Sequence, residues 1–136
     1  MAKATVAAVV TPINGDSMRV LLTRRSISPF RGSWCLPGGH IDDFESAAYA
    51  VCREVFEETG LEFIPEECLG WFEEIFPEQR FHAVAIAFRG AGKGVLQQQP
   101  DEVTEIAWYP LEEALSMPLA FNHNLVLQRY ARSLIA

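Results

Sequence analysis

The order of extended and helical segments along this chain predicts an α/β fold, an α/β/α sandwich around a mixed β-sheet. Three observations carry that expectation. An Ala- and Val-rich run, Ala4 to Thr11, and the run RVLLTRR from Arg19 to Arg25 open the chain as strands. A segment of helical periodicity follows, from about residue 45 to Thr59. Two further extended stretches, Cys68 to Phe76 and Arg80 to Arg89, then precede the strand IAWY and a terminal helix.

Size and charge narrow the field. A length of 136 residues suggests one domain over 1–136, and 49% hydrophobic composition is ample for a sizeable core. With 11 basic and 18 acidic side chains the net charge is −7, which argues against a nonspecific nucleic-acid surface and an anionic membrane partner. Anionic substrates would need local help. Cys35, Cys52 and Cys68 are odd in number and lack CxxC spacing, so neither a zinc site nor a disulfide framework is expected, and reduced thiols in a cytoplasm fit. The opening MAKATVAAVVTP has too short an apolar run for a membrane span and lacks a convincing signal-peptide cleavage site; it reads as a strand.

Along the chain, the first strand closes at Pro12 and a turn around Asn14-Gly15 leads to Arg19–Arg25 as the returning strand. Arg24 and Arg25 end that strand and Arg31 follows in the loop ISPFRGS. Three guanidiniums so close together are ordinarily solvated charges, but their geometry also suits bidentate binding of phosphate oxygens. Trp34 to Leu36 reads as a short strand, and Pro37-Gly38-Gly39 as a turn into the loop before the helix. Asp42 or Asp43 is the expected N-cap, with Glu45 in the first turn and Gly60 as the C-terminal stop. The runs 68–76 and 80–89 form a hairpin or adjacent strands about a turn at Pro77-Glu78. His82, within the second run, receives no role. GAGKG, residues 90–94, lacks the Ser or Thr and helix of a phosphate loop and reads as a flexible hairpin tip. PDEVTE is a turn into the next strand, Pro110 opens a short helix through Met117, and Asn122 caps the final helix, which ends near Leu134.

The helix from residue 45 to Thr59 carries the most informative pattern. At ~100° per residue, Glu54, Glu57 and Glu58 share an arc of roughly 100°, while Ala48, Cys52, Val55 and Phe56 cluster on the other side. That predicts one buried face and one strongly anionic face. Two readings compete: a solvated acidic face partly neutralised by Arg53, four residues before Glu57, or a site for a hard divalent cation such as Mg²⁺ or Mn²⁺.

The flanking residues favour the second. From Gly39 to Leu61 the chain reads Gly39, five residues, Glu45, seven residues, Arg53-Glu54-Val55, one residue, Glu57-Glu58, one residue, Gly60-Leu61. This resembles the Nudix hydrolase signature at all of its fixed positions, a highly specific match. The resemblance implies the Nudix fold and hydrolysis of a pyrophosphate linkage in a nucleoside diphosphate joined to another group. It implies that Glu54, Glu57 and Glu58 hold Mg²⁺ or Mn²⁺, one carboxylate being able to accept a proton from the attacking water. By the same resemblance the Gly39 carbonyl is a metal ligand, Arg53 orients the carboxylates and Glu45 supports them. One more glutamate often joins from a later loop, and Glu102 or Glu105 could fill that place, Glu102 being favoured. Phe44 stands where many members have glycine, which leaves the loop shape open.

On substrate, the resemblance leaves ADP-ribose-like compounds slightly ahead of nucleoside triphosphates, partly on Pro77, 16 residues after the signature, where ADP-ribose pyrophosphatases resemble one another. A non-catalytic nucleotide-sensing module is the distant alternative. Phe30, Trp34, Trp71, Phe72 and Phe76 offer faces for stacking a base, though most could be core. The expected partner is therefore a nucleotide-derived small molecule, not a nucleic-acid polymer or a membrane; a homodimer is left open.

Overall fold

The computed structural model describes residues 1–98 and 103–135. Its strands are β1 (Lys3–Pro12), β2 (Arg19–Arg25), β3 (Trp34–Cys35), β4 (Gly38–His40), β5 (Glu62–Phe76), β6 (Phe81–Lys93) and β7 (Val103–Pro110), with helices α1 (Ala47–Thr59), α2 (Leu111–Ser116) and α3 (His123–Ser133). The strands form a four-stranded mixed sheet, β4-β1-β6-β5, and a three-stranded antiparallel sheet, β3-β2-β7. β1 runs parallel to β6 over ten residue pairs and antiparallel to β4.

The apolar run of β1 is continuous because both its faces are buried. Ala7 and Val9 point into a core with Leu69, Phe72, Leu127 and Tyr130, on the α3 side. Val6, Ala8 and Val10 point the other way, towards Val51 and Val55 of α1 and Leu61 and Phe63. β2 divides likewise, Val20 and Leu22 to the first core and Leu21 to the second. Alternation along a strand with helices on both sides produces the expected sandwich. No helix among the described residues is long and apolar enough to cross a membrane.

Several local expectations need correction. The turn after β1 forms, with Gly15 N–H donating to Pro12 O, but β2 does not pair with β1; it packs near β1 and is hydrogen-bonded to β3 and β7 in the second sheet. Gly38–His40 is a short strand rather than a turn, paired with β1 at Thr5–Ala7. The expected hairpin turn at Pro77-Glu78 is present, as a 3₁₀ turn over Pro77–Gln79 between the antiparallel β5 and β6. Residues 90–93 are not a flexible tip: Gly90 pairs with both Val10 and Pro65, inside the sheet. Local glycine content suggested a loop, whereas pairing on both edges made glycine necessary, since a Cβ at Gly90 would lie 2.1 Å from the Ile64 carbonyl oxygen.

That approach predicts a cost. Gly90→Ala should destabilise the protein by about 1–3 kcal/mol through overpacking between strands, read as a lower urea midpoint with an unchanged m-value.

Candidate active site

α1 begins one turn later than its acidic residues suggested. Ser46, not Asp42 or Asp43, is the N-cap, its hydroxyl accepting from Tyr49 N–H. Glu45 therefore precedes the helix. Gly60 ends the helix in a left-handed conformation, φ 78°.

The distribution of faces on α1 is also not the expected one. Ala48 and Phe56 are exposed, whereas Ala50, Val51, Val55 and the carboxylates of Glu54 and Glu58 are buried. The anionic stripe lies within the buried face because that face borders a cavity of about 270 Å³ instead of solvent. Glu54 and Glu58 line it together with Gly38 and Gly39.

Burying carboxylates demands partners. Arg53 is a partner of Glu54 and gathers the neighbouring carboxylates. Its Nε donates to Glu45 Oε2 and Nη2 to Glu45 Oε1 at 2.9 Å, while Nη1 reaches Glu54 Oε1 at 2.9 Å and Glu57 Oε1 at 2.6 Å. Nη2 also donates to the His40 carbonyl at 3.0 Å. The guanidinium holds Glu45 down at about 2, helped by the Asp42 backbone N–H, and the carboxylates around Arg53, Glu45 foremost, raise its own pKa further. Glu58 Oε1 accepts from Gly38 N–H at 3.1 Å. A Cβ at Gly39 would lie 2.5–2.7 Å from the carboxyl atoms of Glu54, so only glycine admits that carboxylate so close to the backbone.

The comparisons with known proteins agree with this geometry. The profile of the NUDIX domain matches residues 3–130. The chain belongs to the Nudix family. It is 32% identical over 127 residues to an ADP-ribose pyrophosphatase of Methanocaldococcus jannaschii, covering 93% of this chain and 73% of that protein. It is 28% identical to the ADPR responsive transcriptional repressor NtrR of Acinetobacter baylyi, covering 92% of this chain but only 51% of the repressor. Among solved structures, the NUDIX domain of Shewanella oneidensis NrtR complexed with ADP ribose superposes with a TM-score of 0.84 at 32% identity, covering 100% of this chain and 90% of that one. A MutT NUDIX hydrolase from Burkholderia pseudomallei also gives 0.84, at 27% identity, covering 95% and 98%.

Nudix hydrolases generally use divalent metal ions. The donors at this site fit such an ion: they are all hard oxygens, and the Gly39 backbone lies against Glu54. Among the described residues no three His, Cys, Asp or Glu side chains converge on one point. An ion would thus take part of its shell from water, backbone carbonyl and phosphate oxygen, as Mg²⁺ commonly does.

The other residues picked out by sequence are dispersed. Arg25 lines the cavity, its Nε bonded to Pro29 O at 2.6 Å and its guanidinium 4.9 Å from the Phe121 ring. Arg24 instead binds Gly32 O and pairs with Glu105 at 2.9 Å, and neither reaches the cavity; Arg31 is exposed in its loop, also off the cavity. Pro100 and Glu102 lie outside the described residues. None of Phe30, Trp34, Trp71, Phe72 and Phe76 lines the cavity: Phe30 packs on Phe76 and Phe121, Trp34 on Tyr109, and Trp71 is exposed. The aromatic lining is Phe81 and Phe121.

Among the polar lining residues that sequence reasoning missed are Glu74 and His123, both buried. His123 is buried at the start of α3, and its Nδ1 accepts from Leu36 N–H at 3.0 Å. Burial, aided by the Arg25 charge, lowers its pKa from 6.5 to about 3. Nothing local in the sequence announces either residue, since both become interior only when β5 and α3 close on the cavity. Cys35, also lining it, remains a thiol because burial pushes its pKa up to about 12.

The His123 shift has a defined sign. Below pH 6.5 the unfolded chain takes up a proton that the folded chain refuses until about pH 3, so stability falls as pH drops across that window. One proton contributes at most about 1.4 kcal/mol per pH unit. His123→Asn, whose amide oxygen can take the Leu36 N–H, should flatten the fall in stability between pH 7 and 5 relative to the unmodified protein, as measured by urea unfolding.

Proposed function

We propose that this protein is a metal-dependent hydrolase that cleaves the pyrophosphate linkage of a nucleoside diphosphate joined to another group, with ADP-ribose-like compounds as the favoured substrates. The observation that carries the reading is the pair of buried carboxylates, Glu54 and Glu58, lining a cavity beside Gly39 while Arg53 ties Glu54 to Glu45 and Glu57. The likeness to an ADP-ribose pyrophosphatase and to a domain complexed with ADP ribose supports the substrate class.

In this reading Glu54, Glu57, Glu58 and the Gly39 carbonyl hold Mg²⁺ or Mn²⁺, and Glu102 is a further candidate ligand. An ion held there would supply neutralisation of charge on phosphate oxygens and a lowered pKa for a water molecule. The remaining work falls to the chain. Arg53 holds Glu54 and Glu57 in fixed rotamers, and Glu45 anchors the guanidinium from the preceding loop. A carboxylate of the box accepts the proton of the water. Arg25, the arginine on the cavity wall, grips a phosphate that does not react; Arg24 and Arg31 are less well placed for that role.

Two other readings have specific support. Similarity to MutT proteins favours nucleoside triphosphates. Similarity to an ADPR responsive repressor favours a module that binds without cleaving. Products decide: AMP plus a sugar phosphate from ADP-ribose supports the proposal, a nucleoside monophosphate plus pyrophosphate the first alternative, and binding without turnover in Mg²⁺ the second.

Glu58→Gln should lower kcat about a hundredfold or more at saturating Mg²⁺. The glutamine oxygen can still take the Gly38 N–H, so the melting temperature without metal should hold or rise slightly; near-normal turnover would remove Glu58 from the metal site. Arg25→Ala should raise KM for the substrate more than it lowers kcat. An unchanged KM would return Arg25 to a purely structural contact with Phe121 and Pro29.

A further inference from the structure

The cavity carries a further buried carboxyl group, apart from Glu54 and Glu58, that the proposed hydrolysis does not use. Glu74, on β5, is only 2% exposed and lines the cavity. Asn122 N–H donates to its Oε2 at 3.2 Å. Among the described residues Asn122 N–H is the one donor bonded to this carboxylate, and no buried side-chain oxygen is left unpartnered, so Oε1 is not sealed in, and the open space that Glu74 borders is the cavity. A carboxylate held there with one backbone donor is poorly solvated, and burial accordingly raises its pKa. Adding an N–H donor would relieve that cost.

Its surroundings suit a flat aromatic ligand. Phe81 and Phe121 line the same cavity with ring centroids 5.0 Å apart. The turn presenting Phe121 is clamped to β5 by Asn122, whose Nδ2 donates to Glu73 O at 2.6 Å and whose backbone N–H holds Glu74. His123 cannot serve as the acceptor, because Leu36 N–H already occupies Nδ1. A phosphate would be repelled by Glu74, which leaves it to Arg25 and the box.

We infer that Glu74 is a specificity-determining residue: Oε1 accepts an N–H from the exocyclic amino group of a purine seated against Phe81 and Phe121. The inference rests on the reading that the cavity takes a nucleotide-derived substrate, and adds which edge of the base is read. An ionised carboxylate only accepts, so it matches the 6-amino group of adenine or the 2-amino group of guanine. Hypoxanthine has neither, and at the adenine position it sets an oxygen against an oxygen.

Calorimetric titration of the protein with AMP, GMP and IMP at pH 8 without metal tests this, needing no turnover. AMP or GMP should bind about tenfold or more tighter than IMP, and which of the two does so identifies the base. In Glu74→Gln the Asn122 N–H keeps the amide oxygen, so the NH₂ faces the cavity and the preference should vanish or reverse towards IMP. Equal binding of all three by the unmodified protein, no binding of any, or an unchanged preference in Glu74→Gln would overturn the assignment. The first two outcomes need no variant and so do not depend on its folding. Failure to hydrolyse any nucleotide with Mg²⁺ would instead sink the hydrolase reading and leave the base preference standing.

Discussion

One guanidinium holds the candidate site together. Arg53 pairs with carboxylates from four positions, Asp42, Glu45, Glu54 and Glu57, and donates to the His40 carbonyl, joining α1, the loop before it and the end of β4. Without a cation there, Glu54, Glu57 and Glu58 would repel one another along the helix, and Glu54 would be a poorly compensated buried charge. Lysine could not replace it, since a single ammonium lacks the planar fork needed to address several oxygens in different directions. The Arg53 side chain is only 21% exposed, so these pairs are less screened than surface ion pairs.

The two cores explain why such a charged helix can sit inside the protein. Val51 and Val55 anchor α1 on β1, and the next positions around the helix, Glu54 and Glu58, face the cavity next to Gly38 and Gly39. Their negative charge is met by Arg53 and by the Gly38 N–H. Packing therefore sets the height of the carboxylates above the backbone, and polar contacts set their direction.

This division accounts for what was legible in the sequence. The signature from Gly39 to Leu61 was readable because fixed spacing on one short segment encodes its own geometry. The strands were readable in place because β1 carries the apolar run Val6–Val10 and β2 the apolar run Val20–Leu22. Their pairing was not: a turn at Asn14-Gly15 is compatible with a hairpin, and the transfer of β2 to the second sheet depends on β7, some eighty residues later. Helical periodicity also misassigned the buried side of α1, because it treats carboxylates as solvent-seeking, while a cavity can take the place of solvent. Glu74 was hidden for a related reason. In the run Glu73-Glu74-Ile75 the acidic Glu74 points inward and Ile75 outward, the reverse of what hydrophobicity alone would choose.

The short backbone from Leu36 to Gly39 is secured from opposite layers. Leu36 N–H is held by His123 of α3, and Gly38 N–H by Glu58 of α1. One wall of the cavity is thereby a tie-bar between the two helical layers, with β1 beside it through Ala8 N–H to Pro37 O. A shift in either layer, whether from repacking around Leu127 or around Val55, pulls on the same four residues. Distant core substitutions on both sides of the molecule thus share one mechanical route to the spacing between the box carboxylates and the backbone of Gly39.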